Sequence, residues 1–217
     1  MTLDGKSIEI KKLALSLLKN TDKSDMEPQL VYAETLAALY HAVMNVRTGE
    51  PLWEDRDRLI TGKSALAACC AALAVEGFIP GEQLAGHFSA KVPSLPGLDS
   101  IASAPGENLK IAVDTALEAR ANIKIYRTFV LIDQEDCLSG TLWENAIRAG
   151  EHMLDDLTVI LCRPAGNVLS GADNICAKFS AFGFDTFSVS GKLAAAVAVA
   201  LQLPQRSVKP RFICCDC

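Results

Sequence analysis

Short apolar runs alternate with amphipathic stretches through the second half of the chain. Four runs of β-branched and bulky side chains are each four to six residues long, which is typical of buried strands. They span residues 129–132, 157–161, 184–189 and 211–215. Between them, apolar residues recur at helical spacing over 141–154, 174–181 and 192–201. The pattern predicts strands that are separated by helices.

One strand–helix–strand unit forms the centre of this pattern. The strand at 129–132 opens into a polar loop, and the helix at 141–154 follows with Thr141 or Ser139 as its N-cap. The strand at 157–161 ends in a second loop rich in turn-forming residues. Such a βαβ unit binds ligands at the carboxyl ends of its strands. We therefore expect any functional site in these two loops.

The first half of the chain is predicted to be mainly helical. Its apolar spacing predicts helices over 7–20, 30–44 and 109–121, and loops over 51–58 and 92–104. Residues 60–76 are nearly all Ala, Leu, Cys and Val, as in a helix that is buried on most of its circumference. We interpret Arg56 and Asp57 as an ion pair. Together these elements predict an α/β fold, a doubly wound and mainly parallel sheet with helices on both faces.

Composition narrows the class of protein. The 217 residues, 50% of them hydrophobic, suffice for one domain with a sizeable core, which we place at 1–217. A net charge of −5, with no basic run, argues against nucleic-acid binding. No segment approaches the roughly 20 apolar residues of a membrane span, and the amino terminus does not resemble a signal peptide. We expect a cytoplasmic protein.

The eight cysteines are scattered through apolar stretches and show no disulfide spacing. We expect most of them to be reduced core residues. Cys214, Cys215 and Cys217 could bind a soft metal. However, adjacent residues of a strand point to opposite faces, which argues against a shared site.

Several motifs resemble the amino-terminal domain of the transketolase family, which binds the pyrophosphate of thiamine diphosphate. The clearest is the segment 140–146, Gly-Thr-Leu-Trp-Glu-Asn-Ala, followed by the strand at 157–161. Further matches, in family order and at family spacing, lie at 32–40, 43–45, 55–60, 77–79, 181–184 and 189–191. The resemblance implies the thiamine diphosphate-binding fold. It also implies a transketolase-type transferase that needs a second subunit or further domains.

The cofactor site that this resemblance implies is not reproduced. Family members hold Mg²⁺ with an Asp in a Gly-Asp-Gly turn and with an Asn about thirty residues later. Counted from Gly140, the turn becomes Asp-Gln-Glu at 133–135, with Gln134 at the ligand position, and the second motif becomes Cys-Arg-Pro at 162–164. The three cleft histidines of the family fall on Asp25, Ser64 and the pair at 97–98.

A second alignment is possible. If the first loop shifts by two residues, Asp136 becomes the ligand and Asn167 follows 31 positions later. Otherwise Asp133, Glu135, Asp136 and Asn167 are solvated loop residues, whose carboxylates would repel a diphosphate unless the metal were already bound. The candidate cofactor-binding residues are thus Asp136, Asn167 and Gly140. No catalytic residue and no metal ligand is assigned.

Other polar residues suggest little chemistry. We interpret His41, His87 and His152 as structural or surface residues. Ser64, beside Lys63, could act as a nucleophile, but a helix start is the ordinary place for serine.

Three hypotheses follow. The first is a non-catalytic, structural or regulatory transketolase-like subunit that binds no thiamine diphosphate and no Mg²⁺. The alternative is a divergent pyrophosphate-binding subunit of a two-component, thiamine diphosphate-dependent transketolase that transfers a two-carbon ketol unit. A third is a new enzyme that uses Cys137 and Cys162 at the two strand ends.

A partner is expected under each hypothesis that keeps the family's assembly. The apolar faces at 65–73 and 142–153 resemble helices that pack against a neighbouring chain in the family. A monomer that exposed them would be unusual. We expect a heteromer with a transketolase carboxyl-terminal-like subunit, or a homodimer.

Overall fold

The computed structural model describes residues 1–19, 23–89, 95–164, 174–204 and 207–217. Within them, six strands form one fully parallel sheet in the order β2-β1-β3-β4-β6-β5. The strands are β1 Arg58–Gly62, β2 Ser100–Ala102, β3 Thr128–Ile132, β4 Leu157–Arg163, β5 Asp185–Ser190 and β6 Arg211–Asp216. The predicted doubly wound parallel sheet is confirmed.

Nine described α-helices cover the two faces of this sheet. They are α1 Leu3–Leu17, α2 Lys23–Leu30, α3 Ala33–Ala38, α4 Leu66–Val75, α5 Leu84–Ser89, α6 Glu107–Ala121, α7 Gly140–Glu151, α8 Ile175–Ala181 and α9 Ala194–Gln202. One core lies between the sheet and α1, α3, α4 and α9, and the other lies between the sheet and α6, α7 and α8. Strand residues alternate between them, so that Leu131 and Cys162 enter the first core and Val130 and Leu161 the second. Among the described residues, no helix has the length and apolarity that crossing a membrane requires.

The strand order creates a switch point between β1 and β3. The chain leaves β1 for β2 on one side and leaves β3 for β4 on the other. Loops at the carboxyl ends of β1 and β3 therefore diverge, which opens a crevice at that edge of the sheet. The predicted loop after β3 lies at this crevice, whereas residues 165–171 of the second predicted loop lie outside the described residues.

Two strands were missed by the prediction. Residues 60–62 belong to β1 rather than to the helix predicted at 60–76, and β2 lies inside the loop predicted at 92–104. Ile60 pairs with Val130 on one side and Ser100 on the other, so sheet pairing outweighs the local helical pattern. The helix predicted at 30–44 is also divided. Its parts are the end of α2, the helix α3 and a π-helical turn at Leu39–Val43.

Arg56 and Asp57 do not pair with each other, which corrects the prediction. Both are buried, and each has its own partner. Arg56 donates two hydrogen bonds of 2.8 Å to Asp99, and Asp57 accepts from Arg127 at 2.6 Å. Arg56 does donate to the backbone carbonyl oxygen of Asp57 at 3.0 Å, but the two side chains pair with other residues.

Helix α4 is as deeply buried as predicted, but by its own chain. The residues from Ala67 to Leu73 are all inaccessible to solvent without any neighbouring chain. The helix packs against α1, α3 and α5 within the same core. The apolar face of α7 is likewise covered internally, through Leu142, Ala146 and Ala149. The buried parts of these two faces therefore give no reason to expect a partner, whereas Ile147 and Met153 of the 142–153 face are exposed at 41% and 55%.

Helix α7 approaches the turn after α8 unusually closely. A Cβ atom added at Gly150 would lie 1.7 Å from the carbonyl oxygen of Phe182. Glycine is required here because only a residue without a Cβ lets the helix and the turn meet.

Candidate functional site

A cavity of about 260 Å³ opens at the crevice, at the carboxyl ends of β1, β3 and β4. Its lining combines polar side chains with apolar ones. The described lining residues are Pro28, Val31, Tyr32, Ser64, Asp133, Gln134, Glu135, Cys162 and Pro164. None of them is a lysine or an arginine, so the described wall carries negative charge only.

A chain of hydroxyl groups leads into this cavity. Ser64, in the turn after β1, donates to Asp133 Oδ2 at 2.7 Å, and its Oγ lies 3.0 Å from the Tyr32 hydroxyl oxygen. Burial, followed by the negative charge of Asp133, raises the pKa of Tyr32 well above its ordinary value. Tyr32 therefore stays a neutral phenol. The three side chains form one hydrogen-bonded chain on the cavity wall.

Asp136 turns away from this cavity. It begins a short 3₁₀ turn, Asp136–Leu138, and is 5% exposed. Its Oδ1 accepts from the backbone N–H of Gly106 at 2.7 Å, and its Oδ2 accepts from Asn108 Nδ2 at 2.7 Å and from the N–H of Asp133 at 2.9 Å. The interpretation of Asp136 as a solvated loop residue is therefore wrong, because α6 covers it.

The electrostatics of Asp136 follow from that burial. Desolvation and the neighbouring charge of Asp133 raise the pKa of Asp136, while its hydrogen bonds from Gly106, Asp133 and Asn108 act in the opposite direction. No cation pairs with it among the described residues. Neutral donors hold the carboxylate, and they occupy both of its oxygens.

The cysteine pair proposed for a new enzyme is not brought together. Cys162 packs into the core of α3 and α4, whereas Cys137 packs against the core of α6 and α7, on the other side of the sheet. Burial raises the pKa of Cys137 to about 12. Interactions with Cys215 and Cys217, followed by burial, raise that of Cys162. Burial therefore favours the thiol form of both. Because they lie on opposite faces of the sheet, they do not form the shared site that this hypothesis names.

The terminal cysteines alternate between the two cores, as expected. Cys214 enters the core of α6 and α7, and Cys215 enters that of α3 and α4. Cys217 lies nearer the crevice, where its Sγ is 3.3 Å from the Val31 carbonyl oxygen. In the described part of the chain, no group of three or more His, Cys, Asp or Glu side chains is placed to hold a metal ion.

The remaining candidates are dispersed. Gly140 is the first residue of α7, and open space surrounds the position of a Cβ there. Asn167 lies outside the described residues. His41 is half-exposed beside Glu76, and His152 is exposed at the end of α7. His87 lies within α5. No described histidine lines the cavity.

The interaction between Ser64 and Asp133 was missed by the sequence reasoning. These residues are 69 positions apart, and they meet because β1 and β3 are neighbours in the sheet. Recognising β1 at 58–62 would have placed Ser64 at the same edge as Asp133. The helix predicted over 60–76 hid that signal.

Comparisons with known proteins agree with this architecture. No family model matches the chain. Among curated proteins, it is 25% identical over 207 residues to one subunit of the apulose-4-phosphate transketolase of Phocaeicola vulgatus, covering 88% of this chain and 73% of the relative. It is 26% identical over 222 residues to 6-deoxy-6-sulfo-D-fructose transketolase subunit SqwG of a Clostridium species, covering 94% of this chain and 80% of the relative.

Solved structures show the same fold. The transketolase of Leishmania mexicana superposes with a TM-score of 0.81 at 22% identity, and that of Campylobacter jejuni with a TM-score of 0.78 at 23% identity. The matches cover 100% and 99% of this chain, but only 36% and 37% of those enzymes. The chain thus spans little more than a third of the length of these transketolases.

Proposed function

Because this chain is transketolase-like, with the fold of the thiamine diphosphate-binding amino-terminal domain, we propose that it is a divergent subunit of a two-component transketolase-type transferase. The observation that carries this proposal is the similarity over 88% and 94% of the chain to relatives named as transketolase subunits. The cavity at the switch point supports it, since open α/β sheets bind ligands there. In this role the chain would act together with a second subunit that resembles a transketolase carboxyl-terminal region.

The described residues do not fit the family's Mg²⁺ site. Both carboxylate oxygens of Asp136 already accept hydrogen bonds from the protein, and Asp136 does not line the cavity. Pro164 has no side-chain oxygen, and Cys162 is buried as a thiol. Mg²⁺ requires several oxygen ligands at close to octahedral geometry, which this set does not offer. The described lining would also repel a diphosphate, since its charged members are carboxylates.

This misfit favours a second candidate function. A cofactor-free subunit with a structural or regulatory role would keep the fold and the partner but not the chemistry. The observation behind it is the hydrogen-bond network of Asp133, Asp136, Ser64 and Tyr32. These residues find hydrogen-bond partners among themselves without a ligand. Asn167 is a candidate ligand only in the alignment that also uses Asp136, and it lies outside the described residues.

Calorimetric titration with thiamine diphosphate and Mg²⁺ separates the two candidates. The chain is titrated alone and together with a transketolase carboxyl-terminal-like subunit from the same organism. Under the first candidate, the complex binds the cofactor in the micromolar range and transfers a two-carbon unit from a ketose donor. Absence of both binding and transfer in a complex that does form would refute it and support the cofactor-free subunit.

A gain-of-ligand variant sharpens this test. Gln134 occupies the position that corresponds to the family's Asp ligand and lines the cavity. Gln134→Asp should strengthen Mg²⁺-dependent cofactor binding if the site is only weakened, and should change nothing if the network excludes the diphosphate. Gln83→Asp, at an exposed position away from the cavity, is the matched control, because it adds the same single negative charge.

A further inference from the structure

Three cysteines meet at the carboxyl edge of the sheet, beside the crevice. Cys162, near the end of β4, and Cys215, on β6, are paired in register, and both enter the core of α3 and α4. Cys217 follows two residues later, so its side chain lies on the same face of the sheet and packs against the same core. Its backbone N–H donates to the carbonyl oxygen of Arg163 at 2.9 Å, which holds it beside β4. The sheet therefore brings three thiols to one place.

Close contacts fix the position of the Cys217 sulfur. It lies 3.3 Å from the carbonyl oxygen of Val31 and 3.6 Å from that of Cys215, so the side chain folds back along β6. A Cβ atom added at Gly191 would lie 2.4 Å from this sulfur, so glycine leaves the room that the sulfur occupies. The thiol of Cys162 is within hydrogen-bonding reach of both Cys215 and Cys217.

The three thiols differ in their accessibility. Cys162 is 2% exposed and Cys215 is fully buried, whereas Cys217 is only half-buried. A dissolved reagent therefore reaches Cys217 first. The hydrogen bond with Cys162 acts in the same direction, because it lowers the pKa of Cys217, while interactions with Cys215 and Cys217 raise the pKa of Cys162. Cys217 thus loses its proton more readily, and Cys162 keeps its own.

We propose that Cys217 and Cys162 form a peroxide-sensitive thiol pair, in which Cys217 is oxidised first and Cys162 then closes a disulfide with it. In the first step, the Cys217 thiolate attacks one oxygen of hydrogen peroxide, the O–O bond breaks, and hydroxide leaves a sulfenic acid on Cys217. In the second step, the Cys162 sulfur attacks the Cys217 sulfur, and its proton leaves with the hydroxyl group as water. The two thiols lose two electrons in total, and the peroxide gains them.

Only the first step needs access from solvent. The second step is intramolecular, so the burial of Cys162 does not prevent it. Val31 and Cys162 both line the crevice cavity. In the disulfide, Cys217 has no S–H left to donate to the Val31 carbonyl oxygen, and the end of β6 is tied covalently to β4. Oxidation would therefore change the wall of the crevice, whether or not the crevice binds a cofactor.

Peroxide treatment of the full chain, followed by thiol counting in denaturant and peptide mass spectrometry, tests the thiol pair. All eight cysteines are free in the reduced chain. After one equivalent of hydrogen peroxide, the thiol count should fall by two, and the peptide that contains Cys162 should be linked to the one that ends in Cys217. Fragmentation of the linked peptide distinguishes Cys217 from Cys214 and Cys215. Dithiothreitol should restore both thiols.

Two substitutions and one matched control assign the roles. Cys217→Ser should abolish the linked peptide and the loss of two thiols. Cys162→Ser should stop the reaction at the sulfenic acid, which dimedone traps on Cys217. Cys137→Ser is the control, because Cys137 is half-buried as Cys217 is, but it packs against the core on the other face of the sheet. It should form the same linked peptide as wild type.

Three outcomes overturn the proposal. In the first, the thiol count of wild type does not fall, or it falls equally in Cys217→Ser. In the second, Cys217 is oxidised in wild type but no link to Cys162 forms. In the third, Cys162 is linked to Cys215 instead. Thermal melting of each reduced variant checks folding, and if Cys162→Ser does not fold, wild type, Cys217→Ser and Cys137→Ser still decide between the outcomes.

Discussion

The two edges of the sheet hold their buried carboxylates in different ways. At the amino edge, the buried Asp57 is paired with Arg127, and Asp99, which is not itself buried, is paired with the buried Arg56. At the carboxyl edge, Asp136 is held by two backbone N–H groups and an amide side chain, with no cation among its described partners. At the amino edge an arginine neutralises the charge of the carboxylate. At the carboxyl edge the neutral donors stabilise the carboxylate of Asp136 but leave its negative charge unbalanced. The carboxyl edge therefore keeps a net negative charge where the family binds a diphosphate.

Removing Asp57 should have the largest effect on this contrast. Asp57→Ala leaves Arg127 without its carboxylate and strands the backbone N–H groups of Asn45 and Arg127, each of which now donates to Asp57 at 2.8 Å. We expect the free energy of unfolding to fall by about 3 kcal/mol or more. Urea denaturation measures this. Asp114→Ala, which breaks a half-exposed pair with Arg148, should cost less than about 1 kcal/mol.

Asp136→Asn tests the carboxyl edge. Asparagine fills the same space, but its NH₂ group would face donors rather than acceptors. We expect a loss of about 1–3 kcal/mol in the free energy of unfolding, since at least one buried donor goes unpaired. A loss as large as that of Asp57→Ala, again from urea curves, would contradict the contrast between charge-paired and neutrally held carboxylates.

Ser64→Ala should have a smaller effect. It removes the hydrogen bond to Asp133 and the contact with the Tyr32 hydroxyl. Because Asp133 and Ser64 are only half-buried, water can replace the lost partner, and we expect about 0.5–1.5 kcal/mol. Thermal unfolding of this variant and of Ser16→Ala, an exposed serine on α1, provides the comparison. Equal losses in the two variants would mean that the hydroxyl chain contributes nothing special.

The smallest effect is on pH dependence, and its sign is the test. The pKa of Asp136 is raised above its ordinary value of 3.8, so the folded state binds this proton more tightly than the unfolded state. Stability should therefore rise as pH falls through the raised pKa toward 3.8, and Asp136→Asn should lack this gain. The free energy of unfolding of wild type minus that of the variant, followed by urea titration, should increase toward acid pH.

Asp114 is the counterpart with the opposite sign. Burial favours its neutral form, but hydrogen bonds from Arg148 and Lys110 outweigh burial and lower its pKa. Its contribution is present above the unfolded value of 3.8 and is lost as pH falls through the lowered pKa. The same subtraction for Asp114→Asn should decrease toward acid pH. If both differences changed in the same direction toward acid pH, the opposite pKa shifts of Asp136 and Asp114 would be contradicted.

Sequence patterns predicted the sheet well where a strand is flanked by polar turns on both sides. Strands β3 and β4 agree with their predicted bounds to within two residues, because short apolar runs between loops have few alternatives. Strand β1 was lost because it runs directly into an apolar helix, with only Lys63–Ala65 between them. Because the residues on both sides of this junction are apolar, the sequence pattern does not show where the strand ends and the helix begins.

The site was harder to predict than the fold. Single residues suffice to show that Gln134 and Pro164 stand where the resemblance predicts metal ligands. The burial of Asp136 cannot be predicted in this way. Its partners Gly106 and Asn108 are 30 and 28 positions away, and they meet it only through packing of α6 on β3. Similarly, the buried guanidinium of Arg211 depends on where α9 ends. Contacts of this kind follow from tertiary geometry, which residue patterns do not contain.

The close approach at Gly150 limits how such a sequence can drift over evolutionary time. With 1.7 Å between a hypothetical Cβ and the Phe182 carbonyl oxygen, even alanine would force α7 away from the turn that leads into β5. Helix α7 also carries the crevice loop at its amino end, so a methyl group some ten residues from the crevice would displace its rim. Mutations can accumulate in the ligand positions without unfolding the chain, whereas this one backbone contact tolerates no side chain. A lineage can therefore lose the family's cofactor residues long before it loses the family's shape.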